Sequence, residues 1–188
     1  MQMRIIGGLK KGKKLLLPDS KDTRPLKDIF KESLFNILDH SRHIRFKIKG
    51  SNILDLFAGV GSFGLECLSR EANKVVFYEN SKFATKILIK NIQQLHFKDK
   101  SEIYEEDIYK NQFIILEKIK FNIIFIDFPF KEKRVLELLN NIKKNKLLKK
   151  DGLIIMHRFW RSKDVLPKTF KILVEKKYGK SKLLIGTF

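Results

Sequence analysis

Cysteine is all but missing from this chain of 188 residues; Cys67 is the only one. A lone cysteine excludes an intramolecular disulfide framework and a cysteine-rich zinc site. The four histidines, His40, His43, His96 and His157, have no HxxxH or HxH spacing, so no metal is expected. No Ser or Cys stands on a nucleophile elbow. No apolar run approaches the roughly 20 residues that span a bilayer. Residues 1–14 carry Gly and Lys where a signal peptide needs an apolar core. Repeats and Gly/Ser- or Pro-rich linkers are absent too. The expectation is a reduced, cytoplasmic, soluble monomer without a membrane partner, large enough to bury roughly 70% of its unfolded surface.

Acidic residues are few: 21 against 40 Lys and Arg, a net charge of +19. The charge is segregated. Residues 1–50 carry 13 basic and 5 acidic side chains, residues 51–130 carry 10 and 11, and residues 131–188 carry 17 and 5. A field this strong attracts polyanions, nucleic acid first. Lysine outnumbers arginine 32 to 8 and alanine occurs three times, as in the coding bias of an AT-rich genome. Such bias inflates lysine everywhere and does not account for the neutral middle.

Residues 4–17 read as a basic β-hairpin or extended arm. Leu26, Ile29, Phe30, Leu34, Ile37 and Leu38 fall on one face of a helix over 25–39, with Pro25 in its first turn. Strands then alternate with helices: strands at 52–57, 74–79, 101–104, 121–127 and 152–157, helices at 62–70, 82–95, 112–118 and 132–149. This alternation predicts a parallel sheet covered on both faces. Residues 170–176 and 182–188 have no helix between them and should form an antiparallel hairpin at the sheet edge.

Gly59, Gly61 and Gly64 spell GxGxxG after a strand and at the start of a helix, and Glu79 ends the next strand. The glycines let the backbone approach a ligand, and the acid can accept hydrogen bonds from ribose hydroxyls, so a nucleoside-containing cofactor is expected. A dinucleotide pyrophosphate would want no carboxylate beside it. Here Asp55, Glu79 and Asp107 follow three successive strands, which suits the net positive charge of S-adenosylmethionine. After the strongest strand comes Asp127-Phe128-Pro129-Phe130. Asp127 and the Phe128 carbonyl could accept the two N–H bonds of an exocyclic amine, holding its nitrogen toward a methyl donor. Pro129 would fix the turn and Phe130 could stack on a flipped-out base. Cys67 reads as a packing residue, as do Phe63 and Phe83, for which lining an adenine pocket is the other reading.

Arg4-Ile5-Ile6-Gly7-Gly8, Thr23-Arg24-Pro25, Lys31-Glu32-Ser33-Leu34-Phe35-Asn36, Leu54 to Gly59, Gly64-Leu65-Glu66 and Leu68-Ser69-Arg70 together resemble the RsmD family, the 16S rRNA guanine-N2 methyltransferases of bacteria. The resemblance covers nearly the whole chain. It implies a Rossmann-like, seven-stranded class I S-adenosylmethionine-dependent methyltransferase sheet with a C-terminal antiparallel hairpin. A basic N-terminal extension, residues 1–50, would contact RNA, and residues 51–188 would form the methyltransferase domain. It further implies transfer of methyl to the N2 amine of one guanine in the small ribosomal subunit, leaving S-adenosylhomocysteine. The cofactor set would be Asp55, Phe57, Ala58, Gly59, Gly61, Glu79, Asn80 and Asp107; the catalytic loop Asp127, Phe128, Pro129 and Phe130; the RNA contacts Arg4, Lys10, Lys11, Lys13, Lys14 and Arg24. Three positions depart from the family: Phe128 replaces a proline, Ser81 replaces an aspartate, and Met156-His157-Arg158 is basic where the family often has an acid. The last segment is given no catalytic role. An amino-methyltransferase for adenine or a protein amide, a nicotinamide-dependent dehydrogenase and a non-catalytic RNA-binding protein are the rival readings.

Overall fold

The computed structural model describes residues 3–18, 28–41, 44, 46–110, 113, 119–129 and 131–188. Among the described residues seven strands form one sheet, in the order β5-β4-β3-β6-β7-β9-β8. They are β3 (Asn52–Leu56), β4 (Lys74–Tyr78), β5 (Ser101–Tyr104), β6 (Phe121–Asp127), β7 (Leu148–Phe159), β8 (Lys171–Tyr178) and β9 (Ser181–Thr187). β3 through β7 run parallel; β9 is antiparallel to β7 and to β8. The expected α/β architecture and its C-terminal hairpin are both present. The strand order reverses between β3 and β6, and ligands of open α/β sheets bind beyond the carboxyl ends of strands at such a reversal.

The sheet is apolar on both faces, as a sheet between two helical layers must be. Ile53, Val75, Phe77, Phe125, Ile155, Leu183 and Ile185 pack toward α1 (Asp28–His40), α2 (Ser62–Ser69) and α3 (Lys82–Leu95). Their neighbours Leu54, Val76, Ile124, Ile126, Ile154 and Met156 pack toward α4 (Val135–Lys144). Alternation with period two carries each strand's side chains to opposite layers.

Some sequence expectations shift. Ile29 is 73% exposed, and the buried stripe of α1 runs through Phe30, Lys31, Leu34, Phe35 and Leu38. Phe83 is also exposed, whereas Phe63 and Cys67 are buried. The helix expected over 132–149 spans only Val135–Lys144, because Lys146 takes φ +50 and turns the chain out of the helix. Leu148 then pairs with Phe121, and a bulge precedes the Ile123–Leu153 pair. The expected helix over 112–118, with the start of the one over 25–39, falls almost wholly outside the described residues.

The N-terminal arm is a hairpin of β1 (Met3–Arg4) and β2 (Lys14–Leu15), and it shares the main core through Met3, Ile5 and Leu15. A buried polar cluster fixes it. Lys31 Nζ donates to the Arg4 carbonyl at 2.5 Å and lies 4.0 Å from Glu66 Oε2. Glu66 also accepts from Ile6 N at 2.8 Å and Arg70 Nε at 3.0 Å. Ser69 Oγ donates to the Gly7 carbonyl and accepts from Lys10 N. A Cβ on Gly8 would fall 1.9 Å from the Ser69 carbonyl oxygen. The family-like segments around Gly7-Gly8, Lys31, Glu66 and Ser69-Arg70 are therefore one docking joint. Farther along, buried Asn91 on α3 accepts from Leu16 N and donates to the carbonyls of Leu16 and Val60. That bond links the arm to the glycine turn.

Candidate functional site

The carboxyl ends of β3, β4 and β6 bring Asp55, Glu79 and Asp127 close enough to interact. Asp55 lies inside β3, buried, and its Oδ2 accepts from Gly64 N at 2.9 Å. The bond holds the first turn of α2 against the strand. Between them the chain turns sharply through Phe57 (φ +58), Gly59 (φ +56) and Gly61 (φ +86). The three glycines have separate reasons. Space around an added Gly59 Cβ is open, so this turn can face a ligand closely. A Cβ on Gly61 would meet Leu88 at 2.4 Å, and one on Gly64 would meet Phe77 at 2.3 Å; both serve close packing of α2 and α3 on the sheet.

Glu79 braces the same turn. Its Oε2 accepts from Gly59 N at 2.7 Å and its Oε1 from Ser81 N at 2.8 Å. Each oxygen keeps a second lone pair for a ligand hydroxyl. Ser81, the departure from the family's aspartate, caps α3 through its hydroxyl to Ala84 N. Serine and aspartate are both good caps, so the substitution is absorbed locally. Ala58 N donates to the Tyr78 carbonyl, Asn80 is exposed beside Glu79, and Asp107 closes a turn by accepting from Tyr109 N.

Burial pushes the Asp55 carboxyl well above the usual range; the Gly64 N–H opposes this, and the carboxylates of Asp127 and Glu79 add to the push. The three acids thus share one field, which a cation placed among them would relieve. Ser62 Oγ, at the start of α2, is buried without a hydrogen-bond partner. A helix start with an orphaned hydroxyl suits a carboxylate. Acids for a cation, an unpaired donor for a carboxylate, an open glycine turn and a bridging Glu79 together match an amino-acid sulfonium joined to a nucleoside.

The second loop follows β6. Asp127 is 27% exposed. Phe128 is buried, with its ring 5.6 Å from that of Phe57, so the two loops touch across the strand reversal. Pro129 is exposed; Phe130 lies outside the described residues, as does Arg24. Phe128 makes its own anchor. The Arg158 guanidinium sits 4.9 Å from its ring centroid and donates to the Glu132 carbonyl at 2.9 Å, with a longer bond of 3.4 Å to the Pro129 carbonyl. Asp164 pairs with Arg158 at 2.9 and 2.5 Å, and both are nearly buried. Burial pushes the Asp164 carboxyl up, but the bonds from Arg158 and Ser162 outweigh this and hold it below the usual range.

His157 is the other residue the sequence reading left without a role. Parallel pairing sets it beside Asp127, and its Nδ1 lies 2.7 Å from Asp127 Oδ1. The Phe30 ring packs on it at 4.4 Å and reaches Tyr178 at 5.6 Å. The helix of the N-terminal extension thereby touches the group that touches Asp127. A basic residue one strand over from an acid is a signal visible only once β6 and β7 are known to be neighbours and in this register. The arm lysines lie elsewhere. Lys11, Lys13 and Lys14 are exposed and Lys10 half-buried, and the turn they flank rests on Ser69 and Phe97, near the amino ends of the strands. Arg4 is exposed on β1.

Residues 3–187 match the family model described as "Conserved hypothetical protein 95". The chain is 35% identical over 182 residues to Ribosomal RNA small subunit methyltransferase D of Haemophilus influenzae, covering 95% of this chain and 90% of that protein. It is 35% identical over 153 residues to the protein of the same name in Escherichia coli K12, covering 81% and 73%. The solved structure of the yhhF protein of Escherichia coli superposes with a TM-score of 0.83 at 29% identity, covering 99% of this chain and 97% of the other. A family match over almost every residue, with the N-terminal docking joint and both site loops inside it, leads to one conclusion: this chain belongs to the RsmD family.

Proposed function

We propose that this protein transfers a methyl group from S-adenosylmethionine to the N2 amine of a guanine in small-subunit ribosomal RNA. The observation that carries the reading is the apposition of the glycine turn after β3 to the Asp127 loop after β6, with Phe57 against Phe128. The relatives named for ribosomal RNA small-subunit methylation supply the substrate class.

S-adenosylmethionine supplies an electrophilic methyl group on a sulfonium. Ser62 and the backbone at the start of α2 would hold its carboxylate, the Asp55 field would favour its positive charge, Glu79 would take the ribose hydroxyls, and Asp107 would contact the adenine. Asp127 accepts one N–H of the target amine and the Phe128 carbonyl the other. An exocyclic amine is a weak nucleophile because its lone pair is delocalised into the ring. Two fixed acceptors orient it and stabilise the positive charge that develops on nitrogen. The amine proton passes to the Asp127 carboxylate. His157, occupying Oδ1 through Nδ1, leaves Oδ2 for the amine; it is a positioning residue. Arg158 holds the loop carbonyls in place of the missing proline restraint.

Asp127→Ala should lower kcat about 10²- to 10³-fold, the cost of losing one preorganised polar group, while cofactor affinity stays within a few-fold. His157→Leu should lower kcat and leave the KM for RNA nearly unchanged. His157→Asn, whose Nδ2 can replace Nδ1, should recover most of that loss. Single-turnover methylation with separate cofactor titrations measures all three. Loss of cofactor binding in Asp127→Ala, with no separate effect on turnover, would remove the acid from this role.

A further inference from the structure

The chain's one tryptophan and much of its C-terminal positive charge meet at the catalytic end of the sheet. Ser181 of β9 pairs with Phe159 of β7, and Trp160 N donates to the Lys180 carbonyl at 3.1 Å. Trp160 lies three residues beyond His157, which pairs with Asp127. At the rise of a strand that separation is about 10 Å. The arm lysines, in contrast, flank a turn near the other end of the strands.

Trp160 is half-buried at a turn and belongs to neither core cluster. Lys177 Nζ stands 3.7 Å from its ring centroid and the Arg161 guanidinium 4.5 Å. Lys163, Lys176 and Lys180 are exposed nearby. Asp164, the acid of this turn, is engaged by Arg158, which leaves Glu175 as the acid on the strand opposite. Two cations drawn to one surface indole repel each other, and a bound anion removes that cost. An aromatic ring with two cations over it becomes a stacking platform for a base once a cation moves from the ring face to a phosphate.

We propose that Trp160, Arg161, Lys177 and Lys180 form a docking surface for the single-stranded RNA adjoining the target base. One flanking base stacks on the indole, and the three cations take the phosphates on either side. The surface adds a substrate contact to the methyltransferase reading and rests on it. A duplex would present no free base face there, so the surface selects a loop or an opened strand.

Because Trp160 is the sole tryptophan, its fluorescence reports directly. Titration with a short single-stranded oligoribonucleotide should quench it, and heparin or an RNA duplex of equal charge should quench it less. In methylation of small ribosomal subunits, Trp160→Ala should raise the KM for the subunit about tenfold, with kcat and S-adenosylmethionine affinity held; Trp160→Phe should recover most of the loss. Lys177→Ala/Lys180→Ala, both exposed, should make the dependence of log affinity on log salt shallower by about 1.4. Equal quenching by heparin, or a wild-type KM in Trp160→Ala while the wild-type protein methylates subunits, would overturn the surface and leave the methyltransferase reading intact. Absence of methylation by the wild-type protein would instead overturn the reading beneath it.

Discussion

Asp55 is a residue whose ionised form is costly to the fold. Its folded pKa lies above the unfolded value, so the folded state holds the proton more tightly. Stability from this group is fully present below the unfolded pKa and declines as pH rises through the folded one. Asp55→Asn keeps an acceptor for Gly64 N and removes the charge. At pH 7 the variant should melt at a higher temperature than the wild type, with the difference closing as pH falls into the acid range. It should also bind S-adenosylmethionine about tenfold more weakly, the loss of one charge-assisted contact. Calorimetry across pH and a cofactor titration check both halves. Asp55, Gly59, Gly61, Gly64 and Glu79 were legible because the turn needs glycine at fixed offsets between a strand and a helix. The bond from Gly64 N, the Glu79 bridge and the orphaned Ser62 hydroxyl were not, since they depend on where side chains point. His157 escaped for a different reason: its partner is thirty positions away and is set by strand register.

Among elements, the loop after β6 depends on a strand that follows it in the chain. Arg158 leaves β7 to hold the Glu132 carbonyl and to cover Phe128, and Asp164 neutralises it. The family position filled here by Phe128 offers a proline's φ restraint; in this chain a buried guanidinium stacked on the ring supplies the constraint. Arg158→Met should destabilise the protein by about 3–5 kcal/mol, because the buried Asp164 carboxylate then loses its guanidinium and keeps only the Ser162 hydroxyl as a hydrogen-bond donor. Adding Asp164→Leu should restore much of that stability without restoring turnover, since the loop carbonyls still lack their donor. Denaturant melts and kcat for the two variants separate the effects. The order and type of most elements were readable from apolar spacing. The end of α4 was not, because the left-handed turn at Lys146 has no glycine to announce it. Nor was the outward turn of Ile29, since the stripe of α1 is rotated by the demand of buried Lys31 for Glu66 and the Arg4 carbonyl.

At the scale of the molecule, a net charge of +19 is concentrated in the first 50 and the last 58 residues of the chain. The arm's turn stands near the amino ends of the strands, and the β8–β9 turn stands at the catalytic end. A substrate reaching both would span the length of the strands, as a folded RNA or a ribosomal particle can and a free nucleoside cannot. Replacing Lys10, Lys11, Lys13 and Lys14 by alanine should therefore weaken binding of the small subunit and flatten its salt dependence. Methylation of a short oligoribonucleotide that reaches only the catalytic end should barely change. An unaltered salt slope would assign those lysines to a solvated surface. The charge segregation was visible in the sequence, but its meaning was not, because the arm's family-like segments prove to be the joint that docks it on α2.

The most direct test of the central claim is to incubate the protein with methyl-labelled S-adenosylmethionine and small ribosomal subunits lacking the modification, digest the RNA and identify the labelled nucleoside, with naked rRNA and duplex DNA alongside. The account predicts label in N2-methylguanosine, drawn mainly from the subunit and lost in Asp127→Ala. Label in methyladenosine or in protein, or none in any of the three despite measurable cofactor binding, would contradict it.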